Sequence, residues 1–231
     1  GISGPMLSKD DPHHINHVNL VSTIDLAEAA RQNGIERFVY CSSGSAYGVT
    51  PESLVTEDTP FRPTSVYGAT KAASDLVLIA YRDEYDIDVI GLRYSSVYGP
   101  RRATDCAIRT MIEDAMAKRP TKLDWGAGEY WPFVYVTDIV TATAAALDAP
   151  KTPQYAYNVA GPDMPAMQRI AELVYESFPD ADIELGSKPR QDKRGRFDLS
   201  AAARDLTWTP EWDIERGVLA YIDWFLKQGR A

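Results

Sequence analysis

Two apolar runs, Phe38-Val39-Tyr40 and Val89-Ile90-Gly91-Leu92, stand on either side of a segment long enough for one extended helix, residues 65–85. Short runs without polar alternation read as strands buried on both faces, which is the pattern of a parallel sheet crossed by helices. The chain is thereby constrained to an α/β arrangement. The first run passes into the polar stretch Cys41-Ser42-Ser43-Gly44-Ser45-Ala46-Tyr47-Gly48, and the second into Arg93-Tyr94-Ser95-Ser96. Open α/β sheets bind their ligands at such strand ends.

The helix predicted over 65–85 begins Ser65-Val66-Tyr67-Gly68-Ala69-Thr70-Lys71. Tyr67 and Lys71 fall one turn apart on one face, so an ammonium sits beside a phenol. At about 5 Å and an effective dielectric of about 20, a unit positive charge stabilises phenolate by roughly 3 kcal/mol, or about 2.4 pKa units. That pairing makes a base. A hydroxyl from Ser42, Ser43 or Ser45 can hold a substrate oxygen against the Tyr67 oxygen, as oxidation of an alcohol requires. Tyr-x-x-x-Lys alone says little, because the two residues meet by chance in many helices.

The order of motifs says more. A strand into Ser-Ser-x-Ser-x-Tyr-Gly is followed by the acidic loop Glu57-Asp58-Thr59-Pro60. Then come Pro63-x-x-x-Tyr67-Gly-x-x-Lys71 and Leu92-Arg93-Tyr94-Ser95-Ser96-Val97-Tyr98-Gly99-Pro100. This series resembles the extended short-chain dehydrogenase/reductases, and among them the NAD-dependent epimerase/dehydratase family of UDP-galactose 4-epimerase type. The resemblance runs over nearly the whole chain in the correct order. It implies a Rossmann-like doubly wound parallel sheet over residues 1–100 and a smaller α/β substrate lobe over 101–231, with some segments of the latter returning to the first domain. The family's opening strand, Gly-x-x-Gly-x-x-Gly turn and helix are not in these residues, and Gly1-Ile2-Ser3-Gly4-Pro5 begins like a loop. The expectation is a fragment of a longer protein, with the N-terminal half of the nucleotide-binding sheet outside it; a non-catalytic dimerising form is the alternative.

By the same resemblance Ser43, Tyr67 and Lys71 are the catalytic set. Ser3, Asn19, Ser42, Ser43, Tyr67, Lys71, Tyr94, Ser95 and Val97 line the cofactor, expected to be NAD, with NADP left open because the selecting residue lies upstream. Asn19 stands in the family's Asn-Val-x-Gly-Thr, near the catalytic tyrosine, where it relays protons or water; packing between helices is the other reading. Ser45, Ser96, Trp131 and Arg190 fall at substrate positions. Departures from the family pattern matter here. Ser96 replaces an Asn that contacts substrate phosphate, and Trp131 replaces an Arg whose bidentate clamp no indole can copy. Trp131 either stacks on the substrate or covers the core. Arg190, in Pro189-Arg190-Gln191-Asp192 with Arg194 and Arg196 nearby, is either a phosphate contact or part of a solvated charge run. Gly44 and Ser45 stand where the 4,6-dehydratases carry an Asp-Glu pair, which argues against dehydration.

The remaining features are structural. Asp11-Pro12 opens a helix over 12–33 with an apolar face and Gly34 after it; helices are also expected over 104–118, 139–149, 166–178 and 214–226. Asp138 reads as the N-terminal acid of the 139–149 helix. His13 and His17 are one turn apart, but no further ligand completes a metal set, and no metal is expected. A net charge of −9 argues against nucleic acid and anionic membrane as partners. Cys41 and Cys106, both expected to be buried, fit a reduced cytoplasmic setting. No apolar run approaches the roughly 20 residues that cross a bilayer, and no signal peptide is visible. The resemblance adds a homodimer through helices 12–33 and 65–85. The reaction expected is hydride transfer at a secondary alcohol of a sugar or nucleotide sugar, with a dehydrogenase or reductase of a free sugar acid or small carbonyl compound as the alternative.

Overall fold

The computed structural model describes residues 1–3, 10–50, 54–190 and 194–228. Gly4, Pro5, Gln191 and Asp192, named above, lie outside them. In chain order the elements are α1 (Pro12–Asn16), a π-turn (His17–Val21), α2 (Ser22–Gln32), β1 (Arg37–Ser43), a 3₁₀ turn (Gly44–Ala46), α3 (Val66–Tyr85), β2 (Asp88–Tyr94) and β3 (Ser96–Tyr98). They continue with α4 (Ala107–Met116), β4 (Thr121–Gly126), β5 (Phe133–Tyr135), α5 (Val136–Asp148), β6 (Ala156–Val159), α6 (Met167–Ser177), β7 (Ile183–Gly186), α7 (Ser200–Asp205) and α8 (Ile214–Gln228).

The chain folds into two compact units. The first comprises Gly1–Ser95, Val140–Val159 and Gln191–Thr209. Its sheet is parallel, in the order β1-β2-β6, with Ser42 opposite Arg93, Ser43 opposite Tyr94, and Tyr94 opposite Val159. β2 is the middle strand and is buried from Val89 to Tyr94, which is why Asp88–Tyr94 reads as an apolar run. Tyr40, Leu78, Ile87 and Val89 pack where α3 lies on the sheet. β1 is an edge among the described strands, and Cys41 is exposed there. The expectation that both thiols are buried therefore holds for Cys106 alone; the Cys41 thiol lies 3.7 Å from the Tyr94 hydroxyl but leaves the residue exposed.

Asp11 caps α1 as expected, its carboxylate accepting the His14 N–H at 2.9 Å, with Pro12 at the first position. The single helix expected over 12–33 is interrupted by the π-turn. Within that turn the Asn19 carbonyl oxygen accepts from the Thr23 hydroxyl at 2.7 Å and from Ser74 Oγ on α3 at 3.3 Å. Side-chain donors at a helical carbonyl compete with the regular ladder, and π-turns occur often at functional sites.

The second unit comprises Ser96–Ile139, Ala160–Arg190 and Pro210–Ala231. It contains two parallel strand pairs, β3 with β5 and β4 with β7. Ile108, Met111 and Ile112 of α4, Met167 and Ile170 of α6, and Val218 and Tyr221 of α8 form its core. α4 is shorter than the 104–118 expected, with Cys106 at its N-cap. α5 begins at Val136, three residues before the 139 expected, and Asp138 is the acid of its first turn, as expected. Its carboxylate also receives the backbone N–H groups of Glu211 and Trp212, each at 3.1 Å, and fixes the approach to α8.

Candidate active site

Tyr67 is placed by the start of α3. Ser65 is the N-cap in extended conformation, its hydroxyl accepting the Gly68 N–H at 3.1 Å, and the helix begins at Val66. Tyr67 therefore sits in the first turn, beside N–H groups with no helical partner and the partial positive charge they carry. The Tyr67 side chain is buried, 8% exposed.

The turn after β1 packs against this helix start. A Cβ at Gly68 would lie 2.4 Å from the Ser45 carbonyl oxygen, so the Gly after Tyr67 is what lets the two backbones approach. Ser43, the last residue of β1, accepts the Ser45 N–H on its hydroxyl at 3.1 Å. Ser42, one residue back, is buried and opposite Arg93.

One turn on from Tyr67, Lys71 Nζ donates to the Cys41 carbonyl at 2.8 Å and lies 4.7 Å from the centre of the Tyr40 ring. This ties α3 to the carboxyl end of β1. Burial lowers the Lys71 pKa below its ordinary value, with the Asp75 carboxylate acting in the opposite direction.

Asn19 is buried against Ile2: its Oδ1 accepts the Ile2 N–H at 2.7 Å and its Nδ2 donates to the Ile2 carbonyl at 2.9 Å. It positions the residue before Ser3, which is exposed. At the end of β2, the Tyr94 hydroxyl lies 2.8 Å from Thr143 Oγ1, and the Ser95 N–H donates to Val159 O at 2.9 Å. The Ser95 hydroxyl is buried and finds no hydrogen-bond partner among the described residues.

Beneath these residues runs a polar network that the sequence alone does not announce. Asp75, two turns beyond Tyr67, pairs with Arg93 of β2 at 2.9 Å, their side chains 0% and 4% exposed. The other Asp75 oxygen accepts from the Tyr155 hydroxyl at 2.9 Å. Arg93 also donates to the Tyr47 hydroxyl at 2.9 Å and the Glu57 carbonyl at 2.7 Å, and Tyr47 donates to Asn158 Oδ1 at 2.8 Å. Burial raises the pKa of Asp75, with Arg93 opposing it. The available signal was the spacing: Tyr67, Lys71 and Asp75 share one helix face at four-residue steps.

The second unit brings together three of the expected substrate residues. Trp131 is buried in the core and donates its indole N–H to the Ser96 hydroxyl at 2.6 Å. The Arg190 guanidinium lies 4.2 Å from the Trp131 ring centre and 4.4 Å from that of Trp125. Val97, in β3, is half-buried. Among the described residues no group of three or more His, Cys, Asp or Glu side chains could hold a metal ion, and no helix is long and apolar enough to cross a membrane.

The model of the NAD dependent epimerase/dehydratase family matches residues 1–160. The chain belongs to that family. A relative within it, UDP-glucose 4-epimerase of Mycolicibacterium smegmatis, is 31% identical over 224 residues, covering 94% of this chain and 71% of its own length. Among solved structures, UDP-glucuronic acid 4-epimerase of Bacillus cereus, in complex with UDP-glucuronic acid and NAD, aligns with a TM-score of 0.81 and 27% identity, over 91% of this chain and 68% of that one. UDP-glucose 4-epimerase of Thermotoga maritima, with UDP-glucose, aligns with a TM-score of 0.88 over 98% of this chain and 75% of that one; at 22% identity it shows the shared fold. The family sequences and the neighbouring structures agree on a Rossmann-type α/β architecture with parallel strands.

Proposed function

We propose that this chain acts as an NAD-dependent sugar or nucleotide-sugar epimerase, with Tyr67 as base, Lys71 as its electrostatic support and Ser43 as the hydroxyl that orients the reacting oxygen. The observation that carries the reading is the meeting of three elements in one place: the carboxyl end of β1, the turn after it, and the first turn of α3. The donor set suits the nicotinamide end of the cofactor. A half-buried ammonium with more N–H groups than the Cys41 carbonyl uses can reach a ribose hydroxyl, and the Ser95 hydroxyl is a polar atom in want of a partner. Ser3, Asn19, Ser42, Tyr94 and Val97 complete the proposed cofactor lining, and Ser45, Ser96, Trp131 and Arg190 the substrate side. When bound, NAD supplies the oxidant for a secondary alcohol.

Tyr67 Oη takes the proton of the substrate hydroxyl. The Lys71 charge and the helix terminus make its phenolate accessible, and the Ser43 hydroxyl holds the same substrate oxygen as it becomes a carbonyl. Reduction on the opposite face gives the epimer; release of the ketone gives net oxidation. The second outcome, with a free sugar acid or small carbonyl compound as substrate, is favoured by the Trp131 to Ser96 bond, since the two positions expected to meet a diphosphate meet each other.

The experiment is incubation with NAD and a panel of sugars, sugar acids and nucleotide sugars, followed by NMR of the products and absorbance at the reduced-nicotinamide band. Epimer formation with catalytic NAD supports the first reading, and stoichiometric reduction of NAD the second. Absence of both across the panel overturns the proposal. A homodimer through residues 12–33 and 65–85 belongs to the same reading, supported by Val21 of the π-turn, Leu26 of α2 and Leu76 of α3, which are 39%, 59% and 59% exposed. So does a cytoplasmic setting, supported by two free thiols.

A further inference from the structure

The Lys71 ammonium has a second neighbour besides the carbonyl that receives it, and the roles proposed above leave that neighbour unused. Tyr40 and Cys41 are successive residues of β1. Lys71 Nζ donates to the Cys41 carbonyl at 2.8 Å and lies over the face of the Tyr40 ring, 4.7 Å from its centre. One short piece of strand thus meets the ammonium twice, with an oxygen and with a π face.

The ring is itself held in place. Tyr40 is buried and packs with Leu78 of α3 and with Ile87 and Val89 at the start of β2. Packing there asks only for a large apolar side chain. A cation within about 6 Å of a ring centre is in addition attracted by the negative face of the ring, and more strongly where the pair is withdrawn from water.

Lys71 needs such support. It is half-buried, and burial lowers its pKa, with Cys41 and the Asp75 carboxylate acting in the opposite direction. Asp75 and Tyr67 flank it on α3, one turn to either side, and the Asp75 charge is shared with Arg93 of β2 at 2.9 Å. On β1 the Cys41 thiol lies 3.7 Å from the Tyr94 hydroxyl of β2. Burial raises the pKa of the Tyr40 hydroxyl, so the ring stays neutral while Lys71 titrates. The π face therefore favours the ammonium without adding a charge that would itself have to be buried.

We infer that Tyr40 is a positioning residue of the site, whose ring face holds the Lys71 side chain charged and in place, one turn from Tyr67, through a cation–π contact. The inference rests on the proposed roles of Tyr67 and Lys71.

The test titrates Lys71 directly. With ¹³C at the lysine Cε positions, the Lys71 resonance is the one missing in Lys71→Met, and its chemical shift followed against pH gives the pKa. Position 40 carries in turn tyrosine, phenylalanine, and phenylalanine with one, two and three ring fluorines, which weaken the negative face while keeping the apolar shape. The expected result is a Lys71 pKa nearly unchanged in Tyr40→Phe that falls stepwise with fluorine, by about half a pKa unit or more at three. Tyr40→Leu, which fills the space without a ring, falls at least as far. If Tyr40→Leu does not fold, judged by thermal unfolding, the fluorinated series decides by itself. A pKa that stays level across that series is the result of packing alone and overturns the inference, as does a folded Tyr40→Leu with the wild-type value. Turnover plays no part in this measurement. A stepwise fall in a chain that oxidises nothing upholds the contact and overturns only the roles proposed for Tyr67 and Lys71, whereas a level series in an active chain overturns the contact alone.

Discussion

Trp131 and Ser96 are bonded to each other, indole N–H to hydroxyl at 2.6 Å, with the indole buried in the core of its unit and the Arg190 guanidinium stacked on its face. Both residues stand where a phosphate contact is expected from the family pattern, and in this chain the pair is internally satisfied. Ser96→Ala removes the acceptor and leaves the indole N–H buried without it, at a cost of about 1–3 kcal/mol. The expected outcome is a lower midpoint in urea denaturation with an unchanged KM for a nucleotide sugar. A raised KM with unchanged stability would make Ser96 a substrate contact.

Asp75 and Arg93 form a fully enclosed ion pair that joins α3 to β2. Removing one partner leaves a buried charge, which typically costs about 3–5 kcal/mol, whereas replacing both by apolar residues costs much less. Asp75→Ala is expected to be far less stable than the double variant Asp75→Leu with Arg93→Met, measured by denaturant titration. Equal losses in the two would show that the pair contributes packing and not charge.

Lys71 is held at the carbonyl of Cys41 by a fold that lowers its pKa through burial. If the ammonium supports Tyr67 as proposed, it does so only while charged, and activity is lost as pH rises through the Lys71 pKa in the folded state, which lies below the ordinary 10.5. The stability linkage has the opposite direction. A lysine whose folded pKa is depressed favours the fold in its neutral form, and stability from this group grows between the folded and unfolded pKa values as pH rises. Activity and unfolding, each followed against pH, check both signs. Lys71→Met removes a charge worth roughly 3 kcal/mol to the phenolate and lowers kcat by about 10²-fold.

Leu26 on α2 and Leu76 on α3 are each 59% exposed. If these helices form the subunit interface, Leu76→Glu places a charge in it and shifts sedimentation from dimer to monomer with helix content intact. A wild-type chain that sediments as a monomer removes this interface from the account.

The strand at 88–94 announced itself because burial on both faces leaves it with little polar alternation, whereas 38–40 is apolar although Phe38 and Val39 are only half-buried. Local capping likewise fixed α1, whose Asp11-Pro12 start needs no tertiary partner. The residues that escaped are those whose role depends on chain segments far apart. Asp75 in isolation reads as an exposed helix charge, and only the β1-β2 register and the packing of α3 reveal Arg93 opposite it. Asp138 is legible as the acid of the first turn of α5, but nothing local predicts that its carboxylate also serves Glu211 and Trp212. In the π-turn at His17–Val21 the Asn19 carbonyl accepts from the hydroxyls of Thr23 and Ser74, the latter from another helix. Cys41 was expected inside, since sheet edges are invisible in a single strand's sequence.

Tyr67 bears the central claim, that a phenol in the first turn of α3, supported by Lys71 and facing the Ser43 turn, is the base for alcohol oxidation. The measurement is the rate of substrate oxidation in Tyr67→Phe with NAD present, on the substrate that the panel identifies, alongside thermal unfolding of the variant. The account predicts a loss of about 10²–10⁴-fold in kcat with the fold retained. Oxidation at the wild-type rate in Tyr67→Phe would contradict it.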